Sequence, residues 1–292
     1  MRAEPERVSF PPTGLEGVQL LKVRTCLRPY SMHHTTFVFT SVLGGHGRWR
    51  YRHWCPEVGP HRVMLIEPGE THVTTNVATP ASFDALFVDP RVVADVLERN
   101  GLRSELHFRA PDIEDRLIFS RLCELQRAFE QRDVPPEVRQ AAFEETIVSL
   151  AERVGHGRPA FRVGRQDALI EGAREEIHNR LEAQWASDGS SSVKAVSVKE
   201  MAERRGLGSV SFIRAFRAAF GTTPFHYAQI LKIGRSLELI RNGPRDGGTS
   251  ITDVAAAAGF YDACQFSRIF RHQVGLSPRE YAFAVRCGWS HR

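Results

Sequence analysis

The last third of this chain, from about Val196 to Tyr281, is written twice, and that duplication constrains the fold more than any other feature. The first copy holds Ser197, Met201, Ala202, Gly206, Phe212, Phe216, Gly221, Pro224 and Tyr227. The second holds Ser250, Val254, Ala255, Gly259, Phe266, Phe270, Gly275, Pro278 and Tyr281. The offset is constant up to the first glycine of each copy. One extra residue then enters the second copy, and the new offset persists to its end. Repetition of this kind marks a structural unit used twice.

Each copy predicts two short helices joined by a tight turn. In the first, Ser197 precedes Glu200 by three residues, a capping-box spacing. Val198, Met201 and Ala202 form an apolar stripe, and Gly206 ends the helix as a left-handed cap. Ser209 is expected to cap the next helix, whose buried face is Phe212, Ala215, Phe216 and Ala219. In the second copy Ser250 and Asp253 repeat the capping box and Gly259 ends the helix. Asp262 caps a helix with Phe266, Ile269 and Phe270 inward. Two short helices around a glycine turn make a helix-turn-helix.

The outward faces point to nucleic acid. Helical spacing puts Val210, Ile213, Arg214 and Arg217 together in the first copy, and Cys264, Ser267, Arg268 and Arg271 in the second. Arginine reads guanine bidentately or holds phosphate, and Val or Ile meets a thymine methyl. A single arginine-bearing face is usually just solvated; two matched faces on duplicated units argue against that reading. Between the copies, Thr223 and Pro224 open a helix that runs through Tyr227, Ile230, Leu231, Ile233, Leu237 and Ile240. At about 18 residues and 1.5 Å each it forms a rod of roughly 27 Å, suited to holding two reading helices near the roughly 34 Å groove repeat. Ser277-Pro278-Arg279-Glu280 starts a closing helix in the same way.

These motifs resemble the DNA-binding domain of the AraC/XylS family of bacterial transcription regulators. The likeness rests on Ala202-x3-Gly206, Phe212-x3-Phe216-Arg217, Gly221-x2-Pro224-x2-Tyr227, and Arg235 with Leu237-x2-Ile240. It continues through Ile251-x2-Val254-Ala255-x3-Gly259-Phe260 and Phe266-Ser267-Arg268-x-Phe270-Arg271-x3-Gly275-x-Ser277-Pro278-x2-Tyr281. The resemblance implies a binder of double-stranded DNA in which the second helix of each motif enters the major groove, in the bacterial cytoplasm at the nucleoid, with RNA polymerase as a further partner. Carried onto this sequence, the DNA-contacting set is Ser209, Val210, Ser211, Ile213, Arg214, Arg217, Asp262, Ala263, Cys264, Ser267, Arg268 and Arg271. Val210 and Ile213 depart from the polar base readers common in the family, so the first helix is expected to read by shape and methyl contact.

Composition fits this reading. The 292 residues are enough for two ordinary domains. A hydrophobic content of 42% with 25% charged residues fits a globular protein with a real core. A formal charge of +5 suits nucleic acid, though weakly by itself. The five cysteines (Cys26, Cys55, Cys123, Cys264 and Cys287) form no CxxC pair, which favours a reducing compartment. No apolar run approaches 18 residues and no signal-peptide core is evident, so no membrane role is expected.

The first half reads as β-rich. Residues 1–20 suggest an arm or an edge strand. Short alternating segments follow at Thr36 to Leu43, Arg48 to Trp54, Val63 to Glu67 and Ser82 to Val88, bounded by Gly44-Gly45, Gly59-Pro60 and Pro68-Gly69. Such spacing suggests an antiparallel barrel or sandwich. Gly44 to Arg50 with Pro68-Gly69-Glu70-Thr71-His72 resembles the cupin-like sensory domain of many AraC-type regulators. Helices follow at Val92 to Leu97, Ile113 to Phe129 and Phe143 to Val154. The expected fold is therefore α+β: an N-terminal antiparallel cupin-like β-barrel with packed helices over residues 1–155, a Gly/Pro/Arg-rich linker over 156–167, and an all-α domain of about seven helices over 168–292. Within the last, Leu169, Ile170, Ala173, Ile177 and Leu181 mark a supporting helix, and Ser187 to Ser192 a loop.

Small barrels often enclose one ligand. Trp49 and Tyr51 share one strand face, and Phe37 and Phe39 share a face of what is taken as the neighbouring strand. With His72 they are the expected lining of a small-molecule effector pocket, although any one aromatic more often just fills the barrel. Arg48, Arg50 and Arg52 lie on the opposite face, toward solvent or the DNA-binding domain. No cofactor is expected. A metal held by His33, His34 and His72 is the alternative, weakened because adjacent strand residues point to opposite faces. The same alternative would make the chain a cupin-type metal-dependent enzyme with an appended DNA-binding module; no nucleophile elbow, P-loop or His-Glu-x-x-His motif supports it. Cys264 raises a third reading, a redox switch, which oxidant-dependent DNA binding abolished in Cys264→Ser would establish. Residues 113–154 are expected to form a homodimer contact, as they do in the resembling family.

Overall fold

The structure is a computed structural model and describes residues 6–51, 54–131, 133–156, 165–186, 197–243 and 250–287. The strands are β1 (Arg7–Ser9), β2 (Val18–Cys26), β3 (Ser31–His34), β4 (Phe37–Gly44), β5 (Gly47–Tyr51), β6 (Glu57–Val58), β7 (Val63–Ile66), β8 (Glu70–Val77), β9 (Ala81–Val88), β10 (His107–Phe108), β11 (Asp112–Ile113) and β12 (Gly155–His156). A six-stranded sheet runs β1-β2-β9-β4-β7-β11 and a four-stranded sheet runs β3-β8-β5-β6; β10 and β12 form a separate pair. All pairings are antiparallel among the described residues. The expected barrel is thus two separate sheets, a cupin-like sandwich left open at its edges.

The central strand β4 explains the arrangement. Its residues from Phe37 to Val42 are all buried, because both faces of the sheet are covered. Phe37 and Phe39 face a core shared with Leu20, Leu65 and Leu86 and with helices α1 (Pro90–Arg99), α2 (Arg116–Glu130) and α3 (Pro136–Val154). Val38 and Val42 face the four-stranded sheet, with Trp49, Tyr51, Val58, Ile66 and Ala85. The period of two along the strand divides one apolar run between two cores.

The helical half comprises α4 (Arg165–Ala186), α5 (Val198–Glu203), α6 (Ser209–Phe220), α7 (Pro224–Asn242), α8 (Ile251–Ala257), α9 (Ala263–Val274) and α10 (Pro278–Cys287). This matches the expected seven helices among the described residues. The expected loop at Ser187 to Ser192 lies outside the described residues, as do residues 157–164 of the expected linker. His156 is in β12, and α4 already begins at Arg165, inside the span read as linker.

Capping follows the sequence with one exception. Ser197 and Ser250 accept hydrogen bonds from Glu200 N at 3.3 Å and Asp253 N at 3.2 Å. Asp262 accepts from Gln265 N at 2.6 Å, and Thr223 accepts from His226 N at 3.3 Å. Ser277 and Glu280 form a reciprocal box: Ser277 N donates to Glu280 Oε2 at 2.7 Å and Glu280 N donates to Ser277 Oγ at 3.3 Å. The exception is Ser209: it is the first helical residue, and Gly208 takes the N-cap without a side-chain bond. Gly208 and Asp262 are equivalent positions of the repeat, so the cap site is shared and the first copy has no side chain there to fill it.

The two halves of the chain share a core. Val8, Phe10, Val23 and Cys26 from the first sheet pack with Ile233, Leu237, Phe266, Phe270 and Tyr281. Phe10 meets Tyr281 edge-on at 5.4 Å. A small residue, Gly234, lets α7 approach β3; a Cβ there would stand 3.1 Å from the His33 carbonyl oxygen.

Candidate nucleic-acid interface and the cavity behind it

The second helix of each motif, α6 and α9, is anchored by a fully buried phenylalanine pair. Phe212 and Phe216 sit in one core with Ile177, Met201 and Tyr227; Phe266 and Phe270 sit in the other with Val254, Ala255 and Tyr281. Anchoring these residues turns the opposite face outward, because positions three and four apart share a side of a helix. On α6, Val210, Ser211, Arg214 and Arg217 are exposed, while Ser209 and Ile213 are half-buried. On α9 and its cap, Asp262, Cys264, Arg268 and Arg271 are exposed, while Ala263 and Ser267 are half-buried. The structure thus carries the two sets on matching faces of two equivalent helices. Arg271 makes a distant ion pair with Glu280, at 3.7 Å. Cys264 is an exposed free thiol.

Sequence reasoning did not single out Tyr261. It is 96% exposed, immediately before the α9 cap, and it occupies the one-residue expansion of the second copy. That expansion was the available signal. Val210, at 65% exposed, is a second large apolar residue left in solvent on the first face.

α7 joins the two units. Its 19 residues span about 28 Å at 1.5 Å per residue. Its side chains Tyr227, Ala228 and Leu231 pack in the first unit, and Ile233, Leu237 and Ile240 in the second.

Behind this interface lies a cavity of about 170 Å³ between the two sheets. Its walls are mostly apolar, with Leu21, Val38, Met64, Ile66, Phe83 and Phe87 prominent. Gly234, Leu237 and Arg241 of α7, with Val274 and Tyr281, close one side. The cavity is therefore walled by both halves of the chain.

Of the expected pocket residues, Trp49 and His72 line this cavity. Phe37 and Phe39 do not: β4 neighbours β9 and β7 rather than β5, and both rings turn into the core beneath α1–α3. Tyr51 is buried beside Trp49, with ring centroids 5.8 Å apart, and is not among the lining residues. The residues that do line the cavity from β4 are Val38, Thr40, Val42 and Gly44, one step out of register with the expected pair. Of the arginines opposite Trp49, Arg48 pairs with Glu57 and Arg50 lies against Gly221 of the helical half; Arg52 is outside the described residues.

The histidines do not converge as a metal triad. His34 and His72 stack at 5.1 Å, with Nε2 and Nδ1 3.2 Å apart. His33 turns the other way, to Thr71 Oγ1 at 3.1 Å and to the His178 ring at 5.2 Å. No group of three or more metal-ligating side chains assembles among the described residues. Burial keeps these rings neutral: His33 is pushed down to about 3, aided by His178 and Arg174, and His72 to about 4. His34 is lowered further by burial and by His72. His178, lowered to about 4 by burial and Arg174, shares a 2.9 Å hydrogen bond with the Tyr227 hydroxyl. A buried polar seam of His33, Thr71, His178 and Tyr227 therefore joins the sheets to the first helical unit.

Comparison with known proteins agrees with this geometry. A helix-turn-helix domain model matches residues 201–283. The HTH-type transcriptional activator RhaS of Salmonella arizonae is 29% identical over 160 residues, covering 49% of this chain and 55% of that protein. RhaS of Escherichia fergusonii is 32% identical over 118 residues, covering 40% of each chain. The chain spans about half the length of the curated relatives it matches. Apo ToxT from Vibrio cholerae shares the fold, with a TM-score of 0.50, 13% identity, and coverage of 93% of this chain and 98% of that one. The duplicated helix-turn-helix on its long connecting helix is thus similar to that of curated transcriptional activators, and the chain shares its fold with apo ToxT.

Proposed function

We propose that this protein is a sequence-specific DNA-binding transcription regulator that lays α6 and α9 in successive major grooves and answers to a small, largely apolar effector held between its sheets. The observation that carries the reading is the pair of matching exposed faces, Val210/Arg214/Arg217 and Cys264/Arg268/Arg271, each backed by a buried phenylalanine pair. Major-groove readers need a rigid helix whose outer face bears Arg and short side chains. The effector part is supported by a mostly apolar cavity walled jointly by the sandwich and by α7 and α10, so that an occupant touches both halves. In this proposal residues 1–155 bind effector and dimerise, and residues 168–292 bind DNA.

The curated relatives are named transcriptional activators, which favours a contact with RNA polymerase. A homodimer through α2 and α3 is supported by the apolar Leu117 and Val138, 44% and 54% exposed. Among the described residues no helix is long and apolar enough to cross a membrane, and a DNA-binding role puts the protein in the bacterial cytoplasm. We read the chain as a regulator rather than an enzyme, and among the described residues His33 turns away from the stacked His34–His72 pair.

The test is footprinting with the full chain on fragments recovered by genome-wide mapping of bound sites. Protection over two adjacent major grooves per protomer, weakening steeply with salt, is the expected result. Uniform weak binding without preferred fragments would overturn the reading.

A further inference from the structure

The two recognition helices end on equivalent glycines of the repeat. Gly221 closes α6 with φ +75°, and Gly275 closes α9 with φ +88°. Both glycines are met by an arginine from the N-terminal half of the chain. At Gly275 a Cβ would stand 1.8 Å from Nη2 of Arg28; at Gly221 it would stand 3.0 Å from Cδ and 3.3 Å from Cβ of Arg50. Arg28 lies in the loop between β2 and β3, and Arg50 lies in β5.

Arg28 uses its whole guanidinium. Nη1 donates to the carbonyls of Gln273 at 3.2 Å and His272 at 3.4 Å, and Nη2 donates to that of Val274 at 2.9 Å. These are the last carbonyls of α9, which have no partner within the helix, and a cation there also suits the helix dipole. The other side of the guanidinium is fixed by Glu6, which accepts from Nε at 3.0 and 2.9 Å, and by the Tyr30 hydroxyl, which accepts from Nη2 at 2.5 Å. Tyr30 in turn donates to Glu6 at 2.9 Å, and its ring lies 4.2 Å from the guanidinium carbon. Arg50 holds its helix differently, by laying its aliphatic stem on Gly221; its buried Nε makes no hydrogen bond.

We infer that Arg28 and Arg50 are positioning residues: the sandwich grips both recognition helices at their C-terminal glycines, through a hydrogen-bonded cap on α9 and a stem contact on α6. Glycine at 221 and 275 then serves twice, for the left-handed turn and for the close approach of an arginine from the other half of the chain.

Hydrogen exchange on the full chain tests this, comparing the parent with Arg28→Ala, Arg28→Lys and Arg50→Ala. Arg28→Ala should speed exchange in the peptide spanning 271–277 by about tenfold, the size expected for losing hydrogen bonds from a charged group. It should leave the peptide spanning 217–223 unchanged, and Arg50→Ala should do the reverse. Arg28→Lys keeps the charge and the stem but not the fork, so it should still loosen 271–277; this variant decides the question if Arg28→Ala does not fold. Unchanged exchange at both helix ends, or equal acceleration through the cores around Phe212 and Phe266, would overturn the inference. The readout needs no DNA, so its outcome is separate from that of the DNA-binding proposal. On DNA fragments that the parent footprints, the double Ala variant should tolerate one or two base pairs added between the two protected grooves, which the parent should reject.

Discussion

Arg268 is exposed on the outer face of α9, over a helix fixed by Phe266 and Phe270. If it reads a base, Arg268→Ala should cost about 1–3 kcal/mol on the preferred site and relax preference at one position. A pure phosphate contact would instead weaken all fragments alike and lower the salt slope by about one. Binding titrations on matched and single-substituted duplexes separate the two. The glycines offer a second residue-scale comparison. Gly221→Ala and Gly275→Ala both force a left-handed alanine, at roughly 1–2 kcal/mol. At 221 the nearest obstacle is the stem of Arg50, which can shift. At 275 it is a guanidinium pinned by Glu6, Tyr30 and three carbonyls. Gly275→Ala is therefore expected to be the more destabilising of the two in denaturant melts.

At the scale of elements, β3 and β8 meet α4 and α7 through rings that must stay neutral. His33 is held at about 3, and His72 and His178 at about 4, chiefly by burial. The same histidines in the unfolded chain take up protons near pH 6.5. The unfolded state thus binds more protons below that pH, and stability is complete above about 6.5 and lost as pH falls toward 4. The slope approaches about 1.4 kcal/mol per pH unit for each such ring. Melting temperatures measured from pH 7.5 to 4.5 should fall steeply. His178→Gln, which keeps a polar partner for Tyr227, should flatten that fall; an unchanged slope would remove His178 from the account. The helix anchors give a further expectation. Phe212→Ala and Phe266→Ala each empty a fully buried site and should cost about 3–5 kcal/mol, with loss of DNA binding.

For the whole molecule, the cavity wall is shared. Val38, Ala85 and Phe87 come from the sandwich, and Leu237 and Arg241 from α7. A ligand there is bound by both halves at once, and its binding energy can shift how they sit together only through differential contacts in the two arrangements. Ala85→Leu fills part of the space from a position 3% exposed. It is expected to cost about 1–3 kcal/mol of fold stability, as overpacking does, while abolishing thermal stabilisation by any apolar effector found to raise the parent's melting point.

What was legible in the sequence follows from local rules. The duplicated Ser, Gly, Phe, Pro and Tyr positions fix caps, turns and inward faces within a few residues of themselves, so α5–α10 and their outer arginines could be read directly. So could α1–α3 and four of the strands. The cap at Ser209 failed because the true cap position, one residue earlier, is a glycine with no side chain to mark it. The pocket failed at Phe37 and Phe39 for a different reason. Both faces of β4 are apolar, and only the pairing of β4 with β7 and β9 rather than β5 decides which face meets the cavity. Strand pairing joins residues far apart in the chain, and no local pattern encodes it. The same holds for Arg28 and Arg50: each reads as an ordinary surface arginine, and only the docking of sheets on helices brings it to a glycine some 170 or more residues away. Local chemistry determined helices α6 and α9 and their exposed arginine faces; long-range packing alone decided where the cavity lies and what holds those helices.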